Sequence, residues 1–163
     1  MDPARLLALL NDVAAGTLTP AAAHQRLEEL PYADLDYAKV DHHRAVRCGF
    51  PEVIYGAGKT PDRLRGIVAH MRARQAPILV TRLEATVAAD LLKEFPAATY
   101  HADARVLLWC DPAPTPRPGR LAVVSAGTSD AGVALEAWHT LRFFGHEPQL
   151  IQDVGVAGIH RLL

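Results

Sequence analysis

Leu121-Ala-Val-Val-Ser-Ala-Gly-Thr-Ser-Asp130 is the stretch on which the reading of this chain turns. Four apolar residues run into small and hydroxyl-bearing ones, and a helix-forming segment follows, expected over roughly 129–144 and ended by Gly145. A strand, a small-residue turn and a helix in that order begin an open α/β domain that holds an anion. The small side chains let backbone N–H groups approach the ligand, and the helix offers the positive end of its dipole. A second strand, 148–153, comes one helix later and leads into Asp153-Val-Gly-Val-Ala-Gly-Ile-His-Arg161, with a last helical turn expected from Val156. Ligands in open α/β sheets sit at the carboxyl ends of the strands, so the two loops are expected to form one pocket.

Upstream, Asp111-Pro-Ala-Pro-Thr-Pro-Arg-Pro-Gly119 has four prolines in nine residues. Such a run keeps the backbone extended and removes ladder donors, which places a linker at 111–119. Residues 36–110 alternate strand and helix: a strand at 52–55, a turn at Gly56 and Gly58, a helix from Thr60-Pro61 to about Arg74, a strand at 77–81, a helix from about 84 to 95 and a strand at 105–110. That spacing predicts a small α/β domain with a parallel or mixed sheet. Residues 1–35 read as a helical segment, with an apolar face of Leu6, Leu7, Leu9, Leu10 and Val13 before Gly16. Thr19-Pro20 then starts a second helix carrying Ala23, Leu27 and Leu30, and Pro31 stops it. Tyr32 to Arg47 is polar and shows no period.

Half of the 163 residues are hydrophobic and 21% are charged, which is a globular composition. A net charge of −1 argues against nucleic acid or a membrane as partner of the whole chain. No apolar run approaches the roughly 18 residues of a membrane span, and Met1-Asp-Pro-Ala-Arg5 does not open like a signal peptide, so a cytoplasmic protein is expected. Cys48 and Cys110 lack metal-ligand spacing and read as free thiols.

Within the first loop, Gly127 allows close approach, Thr128 and Ser129 add hydroxyl donors, and Asp130 is suited to a ribose hydroxyl. The blander alternative is a tight turn at Gly127 with Ser129 or Asp130 capping the helix. In the second loop His160 is the candidate for proton transfer or anion binding, and Arg161 for bidentate recognition of a carboxylate or phosphate; alone, each is an ordinary surface residue. Arg44, Arg47 and Lys59 form a further candidate set for a nucleotide's phosphates, against a plain reading as linker and helix-start residues. Asp41-His-His-Arg44 invites a metal, but adjacent histidines on a strand point to opposite sides and no third ligand is well spaced, so no metal site is expected. Gly56-Ala-Gly-Lys-Thr60 lacks the spacing of a P-loop. His24, His70, His101, His139 and His146 are scattered and receive no role.

Ala126-Gly-Thr-Ser-Asp130 and Gly158-Ile-His-Arg161 resemble the strand-end motifs of the phosphoribosylaminoimidazole carboxylase (PurE) superfamily, Gly-Ser-x-Ser-Asp and Ser-Ala-His-Arg. Gly127 stands where that family has a phosphate-binding serine, and Gly158-Ile159 replaces its Ser-Ala. Asp41-His-His-Arg44, Arg47-Cys-Gly-Phe-Pro-Glu-Val-Ile-Tyr55, Gly58-Lys-Thr-Pro61, Val80-Thr-Arg82 and the two loops together resemble the LarB branch of nickel pincer cofactor biosynthesis, from about Val40 onward.

The resemblance implies an α/β fold in which the N-terminal helices and small α/β domain precede the start of a flavodoxin-like, three-layer parallel-sheet domain at 120–163. It also implies an enzyme that carboxylates the pyridinium ring of nicotinic acid adenine dinucleotide and hydrolyses its phosphoanhydride, giving pyridinium-3,5-biscarboxylic acid mononucleotide and AMP. In that branch a cysteine thiolate adds to the ring. Neither Cys48 nor Cys110 matches it, and it is expected beyond Leu163 together with the rest of the sheet, so activity of this chain alone is not expected. The alternatives are an aminoimidazole ribonucleotide carboxylase of purine synthesis and a non-catalytic assembly fragment. The expected partner is a nucleotide or dinucleotide, with no tightly bound cofactor and with Mg2+ at most accompanying the dinucleotide. Full-length members of the branch form homo-oligomers.

Overall fold

Helix α1 (Pro3–Ala14) ends where Gly16 turns left-handed at φ 73°, in a computed structural model that describes residues 3–28, 33–41, 44–111 and 113–161. The Asp12 carbonyl accepts from the backbone N–H groups of Thr17 at 3.0 Å and Leu18 at 3.1 Å, which closes the helix. Helix α2 (Pro20–Glu28) begins as its Thr-Pro pair predicts, with the Ala22 N–H donating to Thr19 Oγ1 at 3.2 Å. The two helices touch and bury Leu9 and Ala23, whereas Leu7 and Leu10 are 60% and 53% exposed. The buried stripe is therefore narrower than the expected face: neighbouring leucines lie about 100° apart around a helix, and a short partner helix does not cover both. Leu30 and Pro31, expected to finish the second helix, lie outside the described residues.

The chain divides into two compact units, Met1–Glu52 with Asp62–Ala76, and Val53–Pro61 with Pro77–Leu163. In the first, the aperiodic polar stretch contains a two-residue antiparallel ladder, β1 (Ala33–Asp34) with β2 (Lys39–Val40), and a short helix α3 (Arg44–Cys48) closed by Gly49 at φ 74°. Elements this short display no period, so the sequence does not announce them. Helix α4 (Pro61–Ala73) buries Leu64, Ile67, Val68 and Met71, the i, i+3, i+4, i+7 stripe of an amphipathic helix. Gly66 on it faces Tyr37, whose hydroxyl occupies the space a Cβ would need.

The second unit holds a four-stranded mixed sheet in the order β3 (Ile54–Tyr55), β4 (Ile78–Thr81), β6 (Val106–Trp109), β5 (Thr99–His101). β3 and β4 are parallel; β6 runs antiparallel to both β4 and β5. Every residue of β4 is buried, as a near-continuous apolar strand should be. Helix α5 (Ala85–Glu94) follows β4 as expected. β5 has no counterpart among the strands expected from the sequence, and this strand is what reverses β6: three residues, Thr99–His101, pair with Val106–Leu108 across a tight turn in which Arg105 adopts φ 54°.

β7 (Ala122–Val124) and β8 (Gln149–Ile151) form a parallel pair joined by α6 (Ala131–Phe143), with Val123 opposite Leu150. The fold class is mixed α/β, and this strand–helix–strand unit fits the start of a PurE-like domain. α6 contacts β4 and β6 as well as β7 and β8. Its Phe143 belongs to a buried cluster with Leu79, Ala104 and Val106, against which Leu135 and Phe144 also pack. The unit thus runs continuously across the proline-rich segment. Val124, at the end of the apolar run of β7, is 53% exposed.

Candidate functional site

The ladder between β7 and β8 continues past the strands into both loops. The Ser125 N–H donates to the Ile151 carbonyl at 2.9 Å, the Val154 N–H to the Ser125 carbonyl at 3.2 Å and the Gly155 N–H to the Ala126 carbonyl at 3.0 Å. A Cβ on Gly155 would lie 3.1 Å from the Ala126 carbonyl oxygen, so the loops meet through a residue with no side chain. The structure joins Ser125 and Ala126, where the first loop begins, to Val154 and Gly155 of the second at the carboxyl ends of two neighbouring parallel strands.

In the first loop a 3-10 turn, Thr128–Asp130, leads directly into α6. Gly127 is extended, at φ −133° and ψ 174°, and needs no glycine to hold that conformation. Its N–H donates to Asp130 Oδ2 at 3.1 Å, and the Asp130 N–H returns a bond to the Gly127 carbonyl at 3.0 Å. Asp130 therefore organises the loop by the reciprocal logic of a capping box. Thr128 and Ser129 are both exposed. Ser125 is 8% exposed, and its Oγ is buried without a hydrogen-bond partner.

In the second loop, His160 and Arg161 lie on the 3-10 segment Val156–Arg161, both exposed. Arg161 folds back onto Asp153: Nη1 donates to the Asp153 carbonyl at 3.0 Å and pairs with its carboxylate. Asp153 holds this position at φ 58°, a left-handed conformation unusual for a side chain other than glycine. A Cβ on Gly158 would lie 3.4 Å from the Arg161 guanidinium carbon and 3.2 Å from the Asp153 carbonyl oxygen. Asp153, Gly158 and Ser125 received no role from the sequence; the signal present was an aspartate at a strand end followed by a run of small residues.

Arg44 and Arg47 belong to the first unit and Lys59 to the second. Arg47 forms a two-pronged ion pair with Asp41, at 3.2 Å and 2.5 Å, and this bond holds its guanidinium above its ordinary pKa. Burial raises the Glu52 carboxyl, while Arg44 beside it acts in the opposite direction. Lys59, in the second unit, donates to the Tyr55 carbonyl at 2.7 Å. His42 and His43 lie outside the described residues. Among the described residues no cluster of three or more His, Cys, Asp or Glu side chains is placed to hold a metal, and no helix is long and apolar enough to cross a membrane.

Residues 32–111 match the LarB/PurE-like N-terminal domain family. The chain belongs to the LarB/PurE superfamily. An uncharacterized protein of Methanocaldococcus jannaschii is 33% identical over 130 residues, covering 76% of this chain and 51% of that protein. The chain thus spans about half the length of the curated relative it matches. The LarB/PurE-like domain family is associated with carboxylase and mutase enzymes. The two strand-end loops lie C-terminal to the matched LarB/PurE-like segment.

Proposed function

We propose that this chain forms part of a LarB-type carboxylase/hydrolase. Its substrates are nicotinic acid adenine dinucleotide and CO2 or bicarbonate, and its products pyridinium-3,5-biscarboxylic acid mononucleotide and AMP. The observation that carries the reading is the hydrogen-bonded meeting of the Ser125–Asp130 and Asp153–Arg161 loops at the carboxyl ends of β7 and β8. The overall change replaces one ring C–H by a carboxylate, releasing the proton, and adds water across the phosphoanhydride.

Within that scheme the hydroxyls of Thr128 and Ser129, at the start of α6, suit phosphate oxygens, and Asp130 suits a ribose hydroxyl. Arg161 suits the anionic end of the substrate, which displaces the Asp153 carboxylate from it. His160 is exposed on the same segment and serves proton transfer. Activating an electron-poor ring calls for a nucleophile that adds first, and a thiolate suits this. Cys110 is a poor candidate, because burial raises its thiol pKa and disfavours the thiolate.

Calorimetric titration with nicotinic acid adenine dinucleotide tests the reading. Wild type is expected to bind, and Arg161→Ala and Asp130→Ala to bind at least about tenfold more weakly, the usual scale for losing a charge-assisted contact. Equal binding by all three sinks the assigned loops. Preference for aminoimidazole ribonucleotide transfers the site to purine synthesis, and binding of neither leaves an assembly role.

A further inference from the structure

A cavity of about 770 Å3 lies at the opposite end of β7 and β8 from the strand-end loops, against Ala122 and Gln149, the first residues of the two strands. Arg117 and Arg120 of the proline-rich segment, and Arg142 and His146 at the end of α6, line it together with Glu147. Its wall is well anchored. The Arg117 N–H donates to the Gly145 carbonyl at 2.8 Å, and Gly145, at φ 90°, lies so close to the Thr115 carbonyl that a Cβ would overlap it. Pro114, Pro116 and Pro118 stiffen the same segment, so ordering it around a ligand costs little entropy.

Cations at the end of a helix complement its dipole, which accounts for Arg142 and His146. It does not account for Arg117 and Arg120, which another segment brings to the same cavity. We infer that this cavity is a second binding site, for a phosphorylated small molecule. The arginines take the phosphate oxygens, and Glu147 accepts from a ligand hydroxyl. The volume falls in the range of small-molecule sites, roughly 300–1,000 Å3, and exceeds what phosphate alone would fill.

Trp138 reports on the site. Its indole Nε1 donates to the Pro148 carbonyl at 2.9 Å, and the Arg142 guanidinium lies over its ring, 4.5 Å from the centroid. Inorganic phosphate, titrated into the whole chain at constant ionic strength, is expected to shift the Trp138 indole N–H resonance saturably, with Trp138→Phe assigning the signal. The shift should vanish in the Arg117→Ala/Arg120→Ala double variant and in Arg120→Glu, and persist in Arg161→Ala, which alters the strand-end loops instead. A shift that chloride reproduces, that survives removal of both linker arginines, or that never appears overturns the inference.

Discussion

His139 of α6 stacks on His101 of β5, with ring centroids 3.8 Å apart and planes inclined by 30°. Trp138 meets the His139 ring edge-on at 4.9 Å, and His139 is buried. Two residues that carry no signal in the sequence thus join the helix after β7 to the hairpin formed by β5 and β6. Burial, and then the neighbouring His101, lower the His139 pKa; Asp103 opposes this and Arg142 adds to it.

A histidine whose folded pKa is depressed contributes stability above its unfolded pKa, about 6.5, and loses that contribution as pH falls through the folded value, because the unfolded chain takes up the proton more readily. Wild type is therefore expected to lose stability as the pH falls from about 7.5 to about 5.5. His139→Phe should lose less over the same interval, because it removes the group whose proton uptake favours the unfolded chain. Urea midpoints for both proteins at the two pH values check this; identical pH slopes would show that the buried imidazole is not the sensor.

Gly145→Ala and Gly127→Ser should behave oppositely. At Gly145 the new Cβ overlaps the Thr115 carbonyl, and the backbone is left-handed at φ 90°, so a loss of about 2 kcal/mol or more in unfolding free energy is expected from denaturant titration. Gly127 is extended, and the nearest atom to its Cβ position is Ser129 Oγ at 3.9 Å. A serine there is expected to change stability by less than about 0.5 kcal/mol.

Gly158→Ala places a methyl against the Arg161 guanidinium and the Asp153 carbonyl. The expected outcome is displacement of Arg161 from Asp153, seen as altered affinity for nicotinic acid adenine dinucleotide with little change in melting temperature, because an exposed ion pair contributes at most about 1 kcal/mol. An unchanged affinity would show that Arg161 reaches the ligand from more than one position.

Cys48 is exposed, whereas Cys110 is half-buried, with its thiol pKa raised by burial. In the native protein one thiol should react promptly with a disulfide reagent and the second only on unfolding, and Cys48→Ser should abolish the prompt phase. Two prompt thiols would contradict the packing around Cys110.

What the residues revealed in advance follows their physics. Strand β7, helix α6 and strand β8 were legible because an apolar run, a small-residue turn and a capped helix are local signals. Helix α4 was legible from its Thr60-Pro61 start. β5 was not, because three residues cannot show alternation and their pairing depends on β6. In the candidate site, the adjacency of the two loops could be inferred from their places at strand ends. The closure of Arg161 onto Asp153 could not, since it depends on Asp153 turning left-handed and on Gly158 leaving room.

By itself, the order of residues determined the α/β class, the positions of the main helices and strands, and the motifs that place this chain in the LarB/PurE superfamily, since these depend on neighbours a few positions apart. Only the tertiary structure decided that β6 runs antiparallel, that α6 packs across both sheets of the second unit, and that His101 meets His139. It also decided that arginines from the linker and from α6 line one cavity. Contacts between residues far apart in sequence are set by which surfaces exclude water together, and no local pattern records that choice.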